Sequence, residues 1–404
     1  MNETPENYPG MTRYREENKV IPYSNMDINN NSNSKIILLA TATITLDNLF
    51  MNGLFQNIYL FYRMFEAMNM TPIFLINKKP DSLDKIADYM KNIRILSVDE
   101  SIKTPIPVKY YIEIGMSMDI NYRNYMKMLG AKIIKLYLGN ILNIDIETPV
   151  FMPSFYFAHH VIGGLDEIWT SPHYHQHSEY ARILNHIPLK KEGVIEVPYI
   201  WDPQILLNDG ERRYNWKKAE KDEDDVFLIL EPNISFQKCS LIPLMIIEKW
   251  FEKNRDWKGK VVVINGERLN MIPFFRETIL PSLEIVKAGR VELKERMDIL
   301  SLLQKYPSAI PVCHQWNNEY NYMVLEYFWA GFPVLHNASD WSPYGYYYKN
   351  SSISDGVKRI EEIRKNHMKL AEVYKSHARV LTWRHSPYNP EVQKKWAECL
   401  RLDA

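Results

Sequence analysis

The chain is 404 residues long and 46% hydrophobic, enough for two domains of ordinary size that each bury a core. Lysine plus arginine and aspartate plus glutamate both number 49, so no global positive field is available to hold a polyanion. No lysine–arginine block interleaved with aromatics marks a single-strand channel either, which argues against nucleic acid and for a small or neutral substrate.

Residues 1–34 carry NYPG, IPYS and DINNNSNS with little apolar periodicity and read as a polar arm. Lys35-Ile-Ile-Leu-Leu-Ala40 is the first buried strand. Asn52-Gly53-Leu-Phe-Gln56-Asn57 then opens a helical pattern that runs to Asn69, and Thr71–Ile76 restores strand character. Strand, glycine turn, helix and strand make a βαβ unit, whose turn lies at the carboxyl end of a parallel sheet. Gly53 lets a ligand approach the backbone there and Gln56 or Asn57 donates to it; a helix cap is the alternative reading. The alternation continues with a helix at Ser82–Asn92, strands at Ile93–Val98 and Val108–Ile114, a helix at Asp119–Gly130 and a strand at Lys132–Leu138. That strand runs into Gly139-Asn140, again at the expected cleft edge or simply as a structural turn.

Asp166–Thr170 leads into Ser171-Pro172 and three histidines, His173, His175 and His177. Steps of two residues put imidazoles on one side only in an extended strand, and no paired cysteine or HExxH accompanies them, so no metal site is expected. His173, in the loop after a strand, is placed to act on an acceptor hydroxyl, whereas His175 and His177 read as a solvated helix start. Val194–Val197 ends this domain, and the charge-dense Arg212–Asp225 is the expected linker. The expected N-terminal domain is thus 35–210.

A second series spans 222–387. Its strands are Val226–Leu230, Val261–Asn265, Arg290–Leu293 and Ile310–Cys313; its helices are Leu241–Lys253, Met271–Leu280 and Met297–Lys305. The segment HQWNNEYNYMVLEYFWAGFPVLHN, His314–Asn337, follows. Its second half predicts a helix, a tight exit at Gly331 and a buried strand after Pro333. Beyond an aromatic stretch, Asp355–Arg379 is a long helix with a solvated charged face, and residues 388–404 form a terminal helix that packs back on the first domain.

Cys239, Cys313 and Cys399 lie far apart without metal-ligand spacing, which fits a reducing compartment. No apolar run approaches the roughly 20 residues of a membrane span, and the opening residues are not basic then apolar, so a cytoplasmic protein is expected. The heavy use of Asn, Ile, Lys and Tyr is that of an AT-rich genome such as a large DNA virus, for which the location is the host cytoplasm.

Two doubly wound α/β domains facing a cleft resemble the GT-B glycosyltransferase fold. In the glycogen-synthase-like members a strand ends in an arginine with a lysine five positions later; here that step runs from Asn233 to Lys238, keeping the lysine and replacing the arginine. Glu326, Gly331 and Pro333 are similar in register to the family segment that ends in glutamate, four residues, glycine, one residue, proline-valine. The family's earlier glutamate falls on Asn318, with Glu319 one position off. EPNISFQK, WTSPHY, HQW, Asn321-Tyr322 and His336-Asn337 resemble more closely an uncharacterised bacterial and viral GT-B-like family, over most of 35–337.

The resemblance implies transfer of a sugar from a nucleoside-diphosphate donor to a hydroxyl on a glycan or glycoconjugate acceptor, without cofactor or bound metal, leaning to retention. It implies His173, Lys238 and Glu319 as catalytic residues. Donor contacts fall to Glu231, Asn233, Lys238, His314 and Asn317, and further to Asn318, Asn321, Tyr322 and Glu326, the last on the ribose. Asn52, Gly53, Gln56, Asn57, Gly139 and Asn140 line the acceptor side. A catalytically silent sugar-nucleotide-binding protein and a sugar-nucleotide epimerase are the competing expectations.

Overall fold

A computed structural model describes residues 35–42, 49, 53–77, 93–151, 160, 162–187, 194–207 and 215–402. The N-terminal arm, Asn52 and the helix expected at Ser82–Asn92 lie outside the described residues. The chain divides into two compact units, one of Met1–Leu142, Ser154–Ile200 and Pro387–Ala404, the other of Asn143–Pro153 and Trp201–Ser386.

The central strands of the first unit are mostly apolar and buried because both faces of a parallel sheet are covered. β1 (Ile36–Ala40) is buried at all five positions and lies between β2 (Thr71–Ile76) and β4 (Tyr110–Glu113). With β3 (Ile95–Ser97), β5 (Lys132–Tyr137), β6 (Glu167–Thr170) and β7 (Val194–Glu196) they form a parallel sheet of order β3-β2-β1-β4-β5-β6-β7. Register places Leu38 opposite both Ile73 and Tyr111, and this face is closed by Met118, Tyr122 and Met126. The C-terminal helix Pro390–Cys399 belongs to this unit: Asn389 caps it, and the fully buried Trp396 meets the rings of Phe61, Phe65 and Trp169 at 5.0, 5.9 and 5.5 Å.

The second unit repeats the alternation. β8 (Val226–Ile229), β9 (Lys260–Ile264), β10 (Val291–Lys294) and β11 (Ile310–Pro311) form a parallel sheet of order β10-β9-β8-β11. The line of β11 continues as Cys313 donates to the Leu335 carbonyl (2.8 Å), which opens β12 (Leu335–His336), itself parallel to β13 (Tyr346–Tyr347). Connections therefore leave β8 in one direction through β9 and β10, and in the other through β11, β12 and β13. The order reverses between β8 and β11, and a crevice at the carboxyl ends of two such strands is where open α/β sheets take ligands.

Three expectations are corrected. The strand read as Ile93–Val98 ends at Ser97, because Ser97 and Glu100 form a reciprocal capping box that starts a helix at Val98. The helix read as Met271–Leu280 spans 273–282: it begins at Pro273, whose fixed φ suits a first helical turn, and widens into a π-helical turn over Phe275–Ile279 ahead of Pro281, which supplies no N–H. The charge-dense stretch read as a linker is fastened to the second unit: Trp216 and Lys217 donate to the carbonyls of Ala330 and Pro307 at 3.3 and 2.9 Å.

Candidate functional site

At the reversal of the second sheet, Glu231 follows β8 and His314 follows the β11 line, and the two are joined. The Glu231 carboxylate, with no exposed surface, accepts the His314 backbone N–H (2.9 Å) and the Gln315 amide (2.6 Å). Burial pushes the Glu231 carboxyl well above the usual carboxylate range, opposed by these bonds and by Lys238. Lys238 is half-buried, and loss of hydration around its ammonium lowers its pKa, with Glu231 acting in the opposite sense.

The loop between them is built by Asn233. Its φ of 54° is left-handed, its N–H reaches the Lys238 carbonyl (3.1 Å), and its side chain accepts from the Ser240 N–H (2.9 Å) while donating to the Asn265 carbonyl (3.4 Å). Asn233 thus folds the chain back so that Lys238 returns beside the strand end, and its amide is engaged within the loop. This is a residue type that tolerates left-handed backbone with local hydrogen bonding.

His314 is held as one neutral tautomer. The Tyr348 hydroxyl donates its proton to the Cys313 carbonyl (3.0 Å), so toward His314 it accepts, and Nδ1 at 2.8 Å carries the hydrogen. Nε2 then accepts from the Ser351 hydroxyl (3.3 Å), and burial pushes the imidazole down to about 4. Asn337 clamps the next residue, accepting the Gln315 N–H and donating to its carbonyl at 2.8 and 2.7 Å. Trp316, 48% exposed, is pinned at both ends, its N–H on the Gln237 carbonyl and its carbonyl on the Asn143 amide.

The chain then turns through Asn317, with left-handed φ of 50°, into the helix Tyr322–Trp329. Asn321 is its N-cap: Oδ1 accepts the Met323 N–H (3.1 Å), and the buried Nδ2 has no partner among the described residues. Asn318 is buried with Oδ1 likewise unpartnered. Glu319 points its carboxylate at Ser339, accepting the backbone N–H at 2.6 Å and the hydroxyl at 2.8 Å. Tyr322, half-buried, opens the helix, and the fully buried Glu326 lies one turn further on. The helix ends as a Schellman turn, with Gly331 (φ 79°) donating to Phe328 and Phe332 to Tyr327.

The second unit therefore gathers the residues expected on the donor side along one sheet edge and the helix that follows it. Sequence reasoning gave Gln315 and Asn337 no role beyond their place in HQW and His336-Asn337 and passed over Tyr348 and Ser351; the partners of all four lie 22 to 84 positions away along the chain. No short motif announces such pairings.

The first unit holds the remaining candidates. Gly53 opens the helix Gly53–Ala67, in which Gln56 and Asn57 are buried and Asn57 donates to the Ile200 carbonyl (2.9 Å). Gly139 and the fully buried Asn140 follow β5. His173 follows β6, donating its N–H to the Ser171 carbonyl, and its ring stacks on His177 at 6.4 Å. His175 is exposed as expected, but His177 is a correction: it is 1% exposed, accepts the Ile141 N–H on Nδ1 (3.2 Å), and burial pushes it down to about 4. The helix Ile141–Phe151 starts over it, which its own neighbours in sequence do not reveal.

Among the described residues no group of three or more His, Cys, Asp or Glu is placed to hold a metal ion, and no helix is long and apolar enough to cross a membrane. The fold is that of GT-B glycosyltransferases. A glycosyltransferase from Rickettsia africae superposes with a TM-score of 0.54 at 11% identity, over 92% of this chain and all of that one. The trehalose-6-phosphate synthase OtsA gives 0.56 at 9%, over 91% and 99%. The Anabaena protein HepE, solved with UDP and glucose, gives 0.54 at 10%, over 91% and 99%. No curated protein sequence matches the chain. The model of the family described as "Protein of unknown function (DUF2827)" matches residues 40–400, and the chain belongs to that family.

Proposed function

We propose that this protein is a glycosyltransferase that moves a sugar from a nucleoside-diphosphate donor to a hydroxyl on a glycan or glycoconjugate, without a metal ion and with retention at the anomeric carbon. The observation that carries the reading is the buried polar edge at the reversal of the second sheet, on a fold shared with glycosyltransferases. There Lys238 supplies the positive charge that offsets the leaving diphosphate. The Asn321 amide, a buried donor at a helix N-terminus, adds a neutral hydrogen bond to a phosphate oxygen. Glu326 accepts the ribose hydroxyls, and Asn318 Oδ1 accepts a hydroxyl of the sugar. In the first unit, His173 is the group assigned to the acceptor hydroxyl.

The reading is tested by calorimetry with UDP-, GDP- and ADP-sugars in the presence of a chelator. Binding of at least one is expected, and a panel of which no member binds overturns it. Binding with no transfer to any glycan acceptor leaves a silent sugar-nucleotide binder, and conversion of the donor without acceptor identifies an epimerase.

A further inference from the structure

Glu231 and Lys238 act on each other's charge without meeting in a close ion pair, and together they are formally neutral when both are ionised, so they hold no net charge for a phosphate. Asn233, at the head of the same turn, adds none, and its amide is engaged with Ser240 and Asn265. The other ionisable groups acting around Glu231 stay uncharged near neutrality: burial raises Cys239, Cys313 and Tyr348, and lowers the His314 imidazole. Above neutrality, where the Glu231 carboxyl is ionised, a diphosphate brought beside Lys238 meets a fully buried carboxylate, and like charges sharing a desolvated site drive one of them to protonate.

The surroundings of Glu231 accommodate that proton. Gln315 donates Nε2 to Oε2 of Glu231 at 2.6 Å, while its own Oε1 is buried and without a partner. Rotation of the amide by half a turn presents Oε1 to a protonated Oε2 and keeps one hydrogen bond between the two side chains. The other carboxyl oxygen keeps the His314 N–H. An amide can serve either protonation state, which a fixed donor such as lysine cannot.

Building on the donor site proposed above, we propose that Glu231 takes up one proton as the nucleotide-sugar diphosphate binds, releasing the full charge of Lys238 to the phosphates. Glu231 is then a positioning residue that acts through Lys238 and makes donor affinity fall as pH rises. The raised carboxyl of free Glu231, held by the His314 N–H and the Gln315 amide, has the direction this requires.

The test is calorimetry with the nucleotide sugar that binds, whose diphosphate has no proton to exchange near neutrality, in two buffers of different ionisation enthalpy. Wild type is expected to take up up to one proton, with Kd rising toward about tenfold per pH unit above neutrality. Glu231→Gln, which keeps an acceptor for His314, is expected to bind without proton uptake near neutrality and to lose there the fall of affinity with pH that wild type shows. Donor binding to wild type without proton uptake overturns the proposal, whether or not the variant folds. Uptake that persists in Glu231→Gln overturns it too, assigning the proton to Lys238. Absence of binding by every nucleotide sugar in wild type instead overturns the donor-site reading on which it rests.

Discussion

Glu319 spends its carboxylate on the first residues of the short helical turn Ser339–Trp341, whereas Asn318, the residue before it, is buried with an unused acceptor. The two positions were equivalent candidates for the glutamate of the resembled family, and they separate here by what remains of their hydrogen-bonding capacity. Glu319→Ala is expected to cost about 0.5–2 kcal/mol of stability, as loss of a helix cap does, and to leave donor affinity unchanged in calorimetry. Asn318→Ala is expected to unfold at the wild-type denaturant midpoint but to lower transfer by about tenfold, the worth of one buried hydrogen bond. The opposite pattern would return the role to Glu319. This distinction was not legible in the sequence, because the Ser339 that occupies Glu319 lies 20 residues further on and pairs with it only after the chain has passed through a helix and a strand.

At the scale of elements, what was read locally held and bounds set by periodicity alone did not. The exit of the helix Tyr322–Trp329 is written in adjacent residues: a glycine free to take positive φ, then Pro333, which cannot continue a helix. Met271–Leu280 has helical apolar spacing too, and the helix is there, but its start at Pro273 and the π-helical turn over Phe275–Ile279 ahead of Pro281 are details that periodicity does not carry. The Gly331 turn makes a clean prediction because a Cβ there would meet nothing within 4 Å, so any cost is backbone strain and not a clash. Gly331→Val is expected to lower unfolding free energy by about 1–2 kcal/mol, and Gly331→Asn by visibly less, since asparagine visits the left-handed region more readily. Equal losses in denaturant titrations of the two variants would point to packing instead.

For the whole molecule, the alternation of strand and helix sufficed for two parallel sheets, and the sheet reversal at β8 and β11 places Glu231 and His314 without any motif. Burial of imidazoles was not legible in the same way, since two of four lie under elements distant in sequence. His177, His314, His336 and His367 are each at most 3% exposed, and each uses one ring nitrogen as an acceptor. The donors are the Ile141 N–H, the Ser351 hydroxyl, the Ala338 N–H and the Tyr346 hydroxyl. For His336 and His367 the second nitrogen faces a backbone carbonyl, of Tyr344 and Gly331, and so carries the hydrogen. Protonation destroys the accepting bond, and burial holds all four near about 4, below the ordinary 6.5. The unfolded chain therefore binds more protons than the folded one in this interval. The stabilisation is complete above pH 6.5 and is lost as pH falls toward 4, below which it no longer changes. Glu231 and Asp202, raised by burial, act in the opposite sense over an overlapping range, but they are two against four. With each imidazole worth on the order of 1–3 kcal/mol, the thermal midpoint is expected to drop by several degrees or more across the interval. It should stay nearly level between about pH 7 and about pH 8. His336→Gln, which removes one of the four groups, is expected to unfold at a lower temperature near neutrality yet lose less on acidification than wild type. A midpoint that holds or rises as the solution is acidified through this range would show that these rings are not kept neutral by the fold.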